Sequence, residues 1–426
     1  MGKEFNRVNW ATATNIYEVN LRQYTYEGSF NAFKKELPRL HEMGVETLWF
    51  MPITPIGIVN RKGTLGSYYS VRNYVEVNEE FGTLNDFKEL VNAAHAIGQK
   101  VIIDWVANHT SWDHVWTHLH PEFYSRDHDG NFRPPFPNWE DVIHLNFHNN
   151  ALHEAMIDAM AFWVKECNID GFRCDMAHLV PLSFWYNARK ALDKLKPLFW
   201  MAECEEPEYH QVFDATYTWK WMHATQEYCR HKISIKKLFS TLVEYNLEFP
   251  KDAIRVYFTS NHDENSWNGS EYEKYQNAVG VLGVFACTWD GVPMLYSGQE
   301  MPNKKRLKFF DKDSIEWTGN FELHEFYKTL LNLHKNHPAV RGGDVKVATY
   351  KLHTSHDHNV FAYLRKREEK EIIVILNLSA EPINHLIIHE AIIEGNYRNV
   401  FANSTVQLNS HSVYAIEEWG WLIFEK

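Results

Sequence analysis

Short apolar runs alternate with longer amphipathic stretches along most of this chain. Ile16–Asn20, Thr47–Phe50 and Lys100–Asp104 read as strands, each too short and too apolar to be an amphipathic helix. Between them, Phe30, Phe33, Leu37 and Leu40 recur at helical spacing up to Gly44, a helix terminator. Thr83 with Asp86 three residues on opens a second helix, whose apolar face is Phe87, Leu90, Val91, Ala94 and Ile97 and which Gly98 closes. The rhythm breaks from Trp105 to about His148, a stretch too long for an ordinary connection, so it reads as a lid or small inserted domain. It resumes with a helix over 150–167, a strand at Gly171–Asp175, a helix over 182–196 and a strand at Phe199–Glu203. A sixth strand at Phe213–Tyr217, helix over Trp219–Glu248, a strand at Arg255–Thr259, helix over Tyr272–Cys287, a strand at Val292–Tyr296 and a helix over 321–336 follow.

Eight strands alternating with helices predict a parallel sheet, and eight close into a (β/α)8 (TIM) barrel. A doubly wound open sheet is the competing fold, but no glycine-rich phosphate loop follows the first strand. After Arg341-Gly342-Gly343 the pattern changes to short strands, Val345–Leu352, Val360–Arg365 and Glu371–Asn377 among them. The expected organisation is α/β: a barrel from 1–104 and 149–340, a short domain inserted after strand three at 105–148, and an antiparallel β-sandwich domain at 341–426.

Composition narrows the partners. Lys and Arg number 43 against 55 Asp and Glu, a formal charge of −12, which argues against nucleic acid or an anionic membrane. The longest mostly apolar run, Val279–Trp289, is too short to span a bilayer. Five cysteines without CxxC spacing argue against a disulfide framework and a thiolate metal site, and no secretory signal is visible, so a cytoplasmic setting is expected. Aromatic residues reach 15 %, with 16 Trp; such rings pack cores and also stack on sugars.

The chemistry gathers at the ends of the strands, where barrels of this kind carry their active sites. Asp104, Asp175 and Glu203 end strands three, four and five, and Asp263 lies just beyond strand seven. Arg173 and Asp175, two apart on a strand, point the same way, which makes them either a structural ion pair or an oriented carboxylate nucleophile. His109 and His262 sit in matching Asn-His contexts, as hydroxyl-binding imidazoles, general bases or metal ligands. A metal-dependent barrel hydrolase is therefore a rival, although no His-x-His ends strand one and no ligand cluster is tightly spaced.

Asp104-Trp105-Val106-Ala107-Asn108-His109, Gly171-Phe172-Arg173-Cys174-Asp175, Ala202-Glu203 and Phe258-Thr259-Ser260-Asn261-His262-Asp263 resemble the four ordered motifs of the α-amylase family of glycoside hydrolases. Gly291–Glu300 resembles its strand-eight segment, so the likeness runs along nearly the whole chain. It implies a retaining enzyme that cleaves α-1,4-glucosidic bonds in maltodextrins and other starch-derived oligosaccharides. Asp175 would be the nucleophile, Glu203 the acid and then the base, and Asp263 the transition-state stabiliser. Tyr69, Asp104, His109, Arg173 and His262 would hold the sugar, with nearby negative charge keeping Glu203 protonated. Many relatives carry Lys-His after the nucleophile where this chain has His178-Leu179, so His178 either meets the acceptor sugar or caps a loop. The family's structural calcium would use Asn108, a carbonyl near Leu179 and acids of the inserted domain; here the insertion is short and its acids, such as Asp127, Asp129 and Asp141, do not stand in obvious positions for it, and no cofactor is otherwise required. An α-glucosidase, a transglycosylase and a non-catalytic protein of amylase fold are the alternatives, and oligomeric state is open.

Overall fold

Every barrel strand is buried almost throughout, which is why the runs read as unbroken apolar sequence rather than alternation. In the computed structural model, which describes residues 4–390 and 392–426, the strands are β1 (Ile16–Val19), β2 (Thr47–Phe50), β3 (Lys100–Trp105), β4 (Gly171–Cys174), β5 (Phe199–Ala202), β6 (Ala215–Tyr217), β7 (Ile254–Tyr257) and β8 (Val292–Tyr296). They form a closed parallel barrel in chain order. The expected insertion after β3 contains an antiparallel pair, His109–Ser111 with Val142–His144.

The register decides which side chains meet. Asp104 pairs with Arg173, and Arg173 with Met201. The ladder runs one step beyond the strands: Asp175 N donates to Trp105 O at 3.0 Å, and Glu203 N to Cys174 O at 2.9 Å. Gly171 is required where β4 begins, since a Cβ there would lie 2.1 Å from Phe199 O. Asp170, just before it, accepts from Val101 N at 2.8 Å and contacts His95 at 2.7 Å and Lys196 at 2.9 Å, fixing where β4 starts against β3.

The capping box at Thr83 and Asp86 forms as expected and opens the helix Leu84–Ala96. Gly44 ends its helix in the left-handed region at φ 97°. Three expected helices are broken, each at an identifiable place. The stretch before Gly44 is two helices, Phe30–Lys34 and Leu37–Met43, because Pro38 starts a helix better than it continues one. Trp219–Glu248 is Trp219–Cys229 and Ile235–Glu248, the second capped by Ser234. Tyr272–Cys287 divides at Gln276, whose φ is 52°, into Glu271–Tyr275 and Val279–Thr288. The helix expected over 182–196 stops at Leu192.

The described residues fall into two compact units. One is built on Ile16–Tyr217 with Tyr296–Phe321, the other on Thr218–Leu295 with Glu322–Lys426. The aromatic excess goes largely inward in the first: Trp49, Trp105, Trp163, Trp185 and Trp200 are fully buried. In the second, the strands are β9 (Ala348–Leu352), β10 (Val360–Arg367), β11 (Lys370–Asn377), β12 (Ile383–Ile387), β13 (Gly395–Asn399), β14 (Ser404–Leu408), β15 (Val413–Ile416) and β16 (Trp421–Glu425). A six-stranded sheet ordered β9-β10-β11-β16-β13-β14 shares one apolar core with the β12-β15 pair, bringing Leu364 and Ile375 together with Leu386 and Tyr414. Arg365, fully buried on β10, donates to the carbonyls of Thr288, Trp289 and Val340, so the sheet is fastened to the chain around β8 through backbone groups. Among the described residues no helix is long and apolar enough to cross a membrane.

Replacing Gly171 by Ala drives a methyl into the backbone of β5. The expected loss is about 2–4 kcal/mol in urea denaturation, and an unchanged midpoint would show that β4 and β5 can part without penalty.

Candidate active site

A fully buried guanidinium has to find carboxylates or be expelled, and Arg173 finds three. Its Nη1 donates to Asp104 Oδ1 at 2.9 Å and to Asp175 Oδ1 at 3.0 Å. Nη2 lies 2.8 Å from Glu203 Oε2, an ion-pair contact that falls outside the direction of an N–H bond. Nε donates to the Tyr217 hydroxyl at 3.3 Å, and the guanidinium faces the Trp49 ring at 4.9 Å. Burial alone would push the Arg173 pKa down; the carboxylates of Asp104 and Glu203 outweigh it and hold the group well above its ordinary value, so it stays charged.

The backbone serves the same cluster. Met176, immediately after Asp175, sits in the left-handed region at φ 41°, and its N–H donates to Glu203 Oε2 at 2.9 Å. A non-glycine residue in that conformation is strained, and here the turn directs a backbone donor at a site carboxylate. The Tyr69 hydroxyl donates to Asp104 Oδ2 at 3.0 Å. Asp104, Asp175 and Glu203 are each 6 % exposed, and all three touch the one guanidinium. The expected pairing of Arg173 with Asp175 is therefore present, but as one arm of a larger network. Glu203 has two donors beside it as well as its negative neighbours: Arg173 Nη2 in ion-pair contact and the Met176 N–H.

His109 is buried beside Asn108, whose side-chain amide lies 3.2 Å from Nδ1. Burial and its neighbour His144 push the His109 pKa down to about 3, so it is a neutral imidazole able to donate to or accept from a hydroxyl. His178 is exposed in the turn Ala177–Leu179 that follows Asp175. In the second unit, His262 Nε2 lies 3.3 Å from Asp263 Oδ2; the histidine side chain is buried and the carboxylate 38 % exposed. A π-helical turn, Glu264–Asn268, starts directly after Asp263, an irregularity often found at functional sites.

Tyr217 and Trp49 were not legible as site residues. Tyr217 ends the shortest barrel strand, and Trp49 reads as core; only a position near a strand's C-terminal end distinguishes either.

The residues around Asn108 do not fit the calcium site that the resemblance suggests. The Asp141 carboxylate pairs with Lys62 at 2.9 Å. Asp127 accepts from the backbone N–H groups of Asp129 and Asn131 in its own exposed turn, and Asp129 pairs with His128. Among the described residues, no group of three His, Cys, Asp or Glu gathers around Asn108.

The inserted segment has an acid liability. Burial holds His114 at about 3 and His144 at about 4, alongside His109. Between the ordinary histidine pKa of 6.5 and those depressed values the unfolded chain takes up protons that the folded chain refuses. Stability from these groups is therefore full above pH 6.5 and lost as pH falls. Hydrogen exchange is expected to show the His109–Ser111 and Val142–His144 pair losing protection at pH 4.5 before the barrel strands do. Equal protection at pH 7 and pH 4.5 would contradict this.

Comparison with known proteins agrees with this arrangement. The description "Alpha amylase, catalytic domain" fits residues 3–142 and 138–316. A noncanonic maltogenic alpha-amylase from Thermotoga neapolitana superposes with a TM-score of 0.89 and 31 % identity, covering 97 % of this chain and 98 % of that one. An alpha-amylase from Lactobacillus plantarum gives 0.87 and 26 %, covering 97 % of this chain and 99 % of that one. Alpha-amylase MalA of Haloarcula japonica is 26 % identical over 96 % of this chain, which spans 63 % of that relative's length. A closed parallel barrel whose strand ends carry an arginine shared by three carboxylates thus meets a match over most of its length, and the chain belongs to the alpha-amylase family.

Proposed function

We propose that this protein is a retaining glycoside hydrolase that cleaves α-1,4-glucosidic bonds in soluble maltodextrins. The observation that carries the reading is the single guanidinium of Arg173 in contact with both Asp175 and Glu203. Two carboxyl groups sharing one small cation are neighbours, and retention calls for a pair roughly 5–5.5 Å apart, close enough for one to attack the sugar carbon while the other serves the leaving oxygen.

In this reading Asp175 attacks C1 from one side, while Glu203 donates a proton to the departing glucosidic oxygen. A covalent glucosyl ester forms on Asp175 and the glycosidic bond breaks. Glu203, now a carboxylate, takes a proton from water as that water attacks C1, releasing the sugar and regenerating Asp175. One cation facing three carboxylates leaves surplus negative charge, which favours keeping a proton within the cluster. That supports Glu203 as an acid despite its contact with Arg173. Asp104, with Tyr69 bonded to it, and neutral His109 are suited to bind ring hydroxyls. Asp263 is proposed as the transition-state stabiliser and His262 as a sugar-binding residue, and His178 is proposed to meet the acceptor side. No step in this scheme needs calcium. A cytoplasmic setting goes with the five free cysteines, and a maltodextrin rather than granular substrate with the short insertion.

Asp175→Asn is expected to lower kcat on maltoheptaose by roughly four orders of magnitude while circular dichroism and melting stay near those of the parent. Activity close to the parent's would remove Asp175 as the nucleophile. Product chromatography from maltoheptaose separates the alternatives: shorter maltooligosaccharides mark hydrolysis, single glucose units released stepwise an α-glucosidase, and longer chains a transglycosylase.

A further inference from the structure

The inserted segment carries a loop, Pro134 to Asp141, that the site described above does not use. Its Trp139 ring meets the His109 ring edge-on, with centroids 5.4 Å apart and planes at 72°. Phe136 packs on Trp139 at 4.9 Å and 68°. Phe136 is 37 % exposed, and Trp139 is half-buried. Two aromatic rings therefore lead outward from His109 toward solvent. Burying them in the core would have gained more, so leaving them open is a cost that a ligand can repay.

The loop is also clamped. Lys62 Nζ donates to Asn138 O at 3.2 Å and pairs with Asp141 at 2.9 Å. Trp112 Nε1 donates to Glu140 O at 2.8 Å, and Ser70 Oγ to Asp141 O at 3.0 Å. Trp139 N donates to Phe136 O at 3.0 Å, closing a turn. Ser70 directly follows Tyr69, and Trp112 directly follows the His109–Ser111 strand, so the clamps reach the same chain segments that carry two of the sugar-facing residues. Pro134, Pro135 and Pro137 restrict the backbone further. A ring held in advance loses little freedom when a ligand stacks on it, which is how preorganisation raises affinity.

We propose that Trp139, with Phe136 behind it, is a stacking platform for a second glucose unit of the bound glucan, adjoining the unit that His109 faces, and that Lys62 positions the platform. The inference rests on the reading of the protein as a glucan hydrolase. It names specificity-determining residues that act on substrate binding rather than on bond cleavage. Flat apolar rings suit the hydrophobic face of a pyranose, and Trp and Phe supply that face at low entropic cost.

The test compares parent, Trp139→Ala, Trp139→Phe and Phe136→Ala on maltoheptaose, with melting curves to check folding. Trp139→Ala is expected to raise KM roughly tenfold with kcat within about threefold, Trp139→Phe to restore most of the affinity, and Phe136→Ala to raise KM roughly threefold. Calorimetric titration with maltoheptaose of the same four proteins, each also carrying Asp175→Asn, reads binding without turnover and should show the same order. Unchanged KM and affinity in folded Trp139→Ala would overturn the platform, as would a fall in kcat at constant KM, which would make Trp139 only a support for His109. If Trp139→Ala does not fold, Phe136→Ala decides, and unchanged affinity there counts against the proposal. A parent that binds maltoheptaose through Trp139 yet never cleaves it would leave the platform standing and defeat the hydrolase reading alone.

Discussion

A guanidinium placed in a dry barrel end must be compensated by charge, and much else in the site answers to it. Arg173 has no exposure to solvent, so its charge is tolerable only because Asp104, Asp175 and Glu203 surround it, Tyr217 accepts from Nε and an indole covers its face. The arrangement binds in both directions. The carboxylates keep the arginine charged, and the arginine lets three acids approach within ion-pair distance of a single group. Without it their mutual repulsion would push at least one of them outward or into its neutral form.

The barrel supplies the precision that such a cluster needs. Parallel register sets Arg173 opposite Asp104, and the ladder continues one bond past the strands to fix Asp175 and Glu203 by their own backbones. Gly171 allows β4 and β5 to approach, and the strained turn at Met176 adds a donor to Glu203. Strands carry Arg173, Asp104, Trp49, Tyr217 and His109, whereas Tyr69 and Trp139 come from loops pinned onto them, Tyr69 on Asp104 and Trp139 beside His109. The Lys62–Asp141 pair lies within that pinned region, so the Asp141 carboxylate is held by a side-chain ammonium.

Much of this was legible in the sequence because burial on both faces writes itself as short apolar runs. All eight barrel strands could be read from that, with ends shifted by a residue or two, and the antiparallel tail from its change to short strands. The helix breaks were not, since the segments on either side of Ser234 and Gln276 each keep helical periodicity and the interruption lies in one or two backbone angles. At the site, the motif residues stood at strand ends and could be named. What could not be read was the partnership of Arg173 with Glu203 and Asp104 as well as Asp175, because register across strands leaves no mark in sequence spacing. Tyr217 and Trp139 were invisible for the same reason: their importance lies in what they touch.

The account depends most on the closeness of Asp175 and Glu203, and the stereochemistry of the product reports it directly. Proton NMR during the first minutes of maltoheptaose cleavage should show the new reducing end released as the α-anomer, with the β-anomer appearing only through slow mutarotation. Immediate release of the β-anomer would mean a single displacement across a wider gap, and the double-displacement scheme built on Arg173 would be wrong.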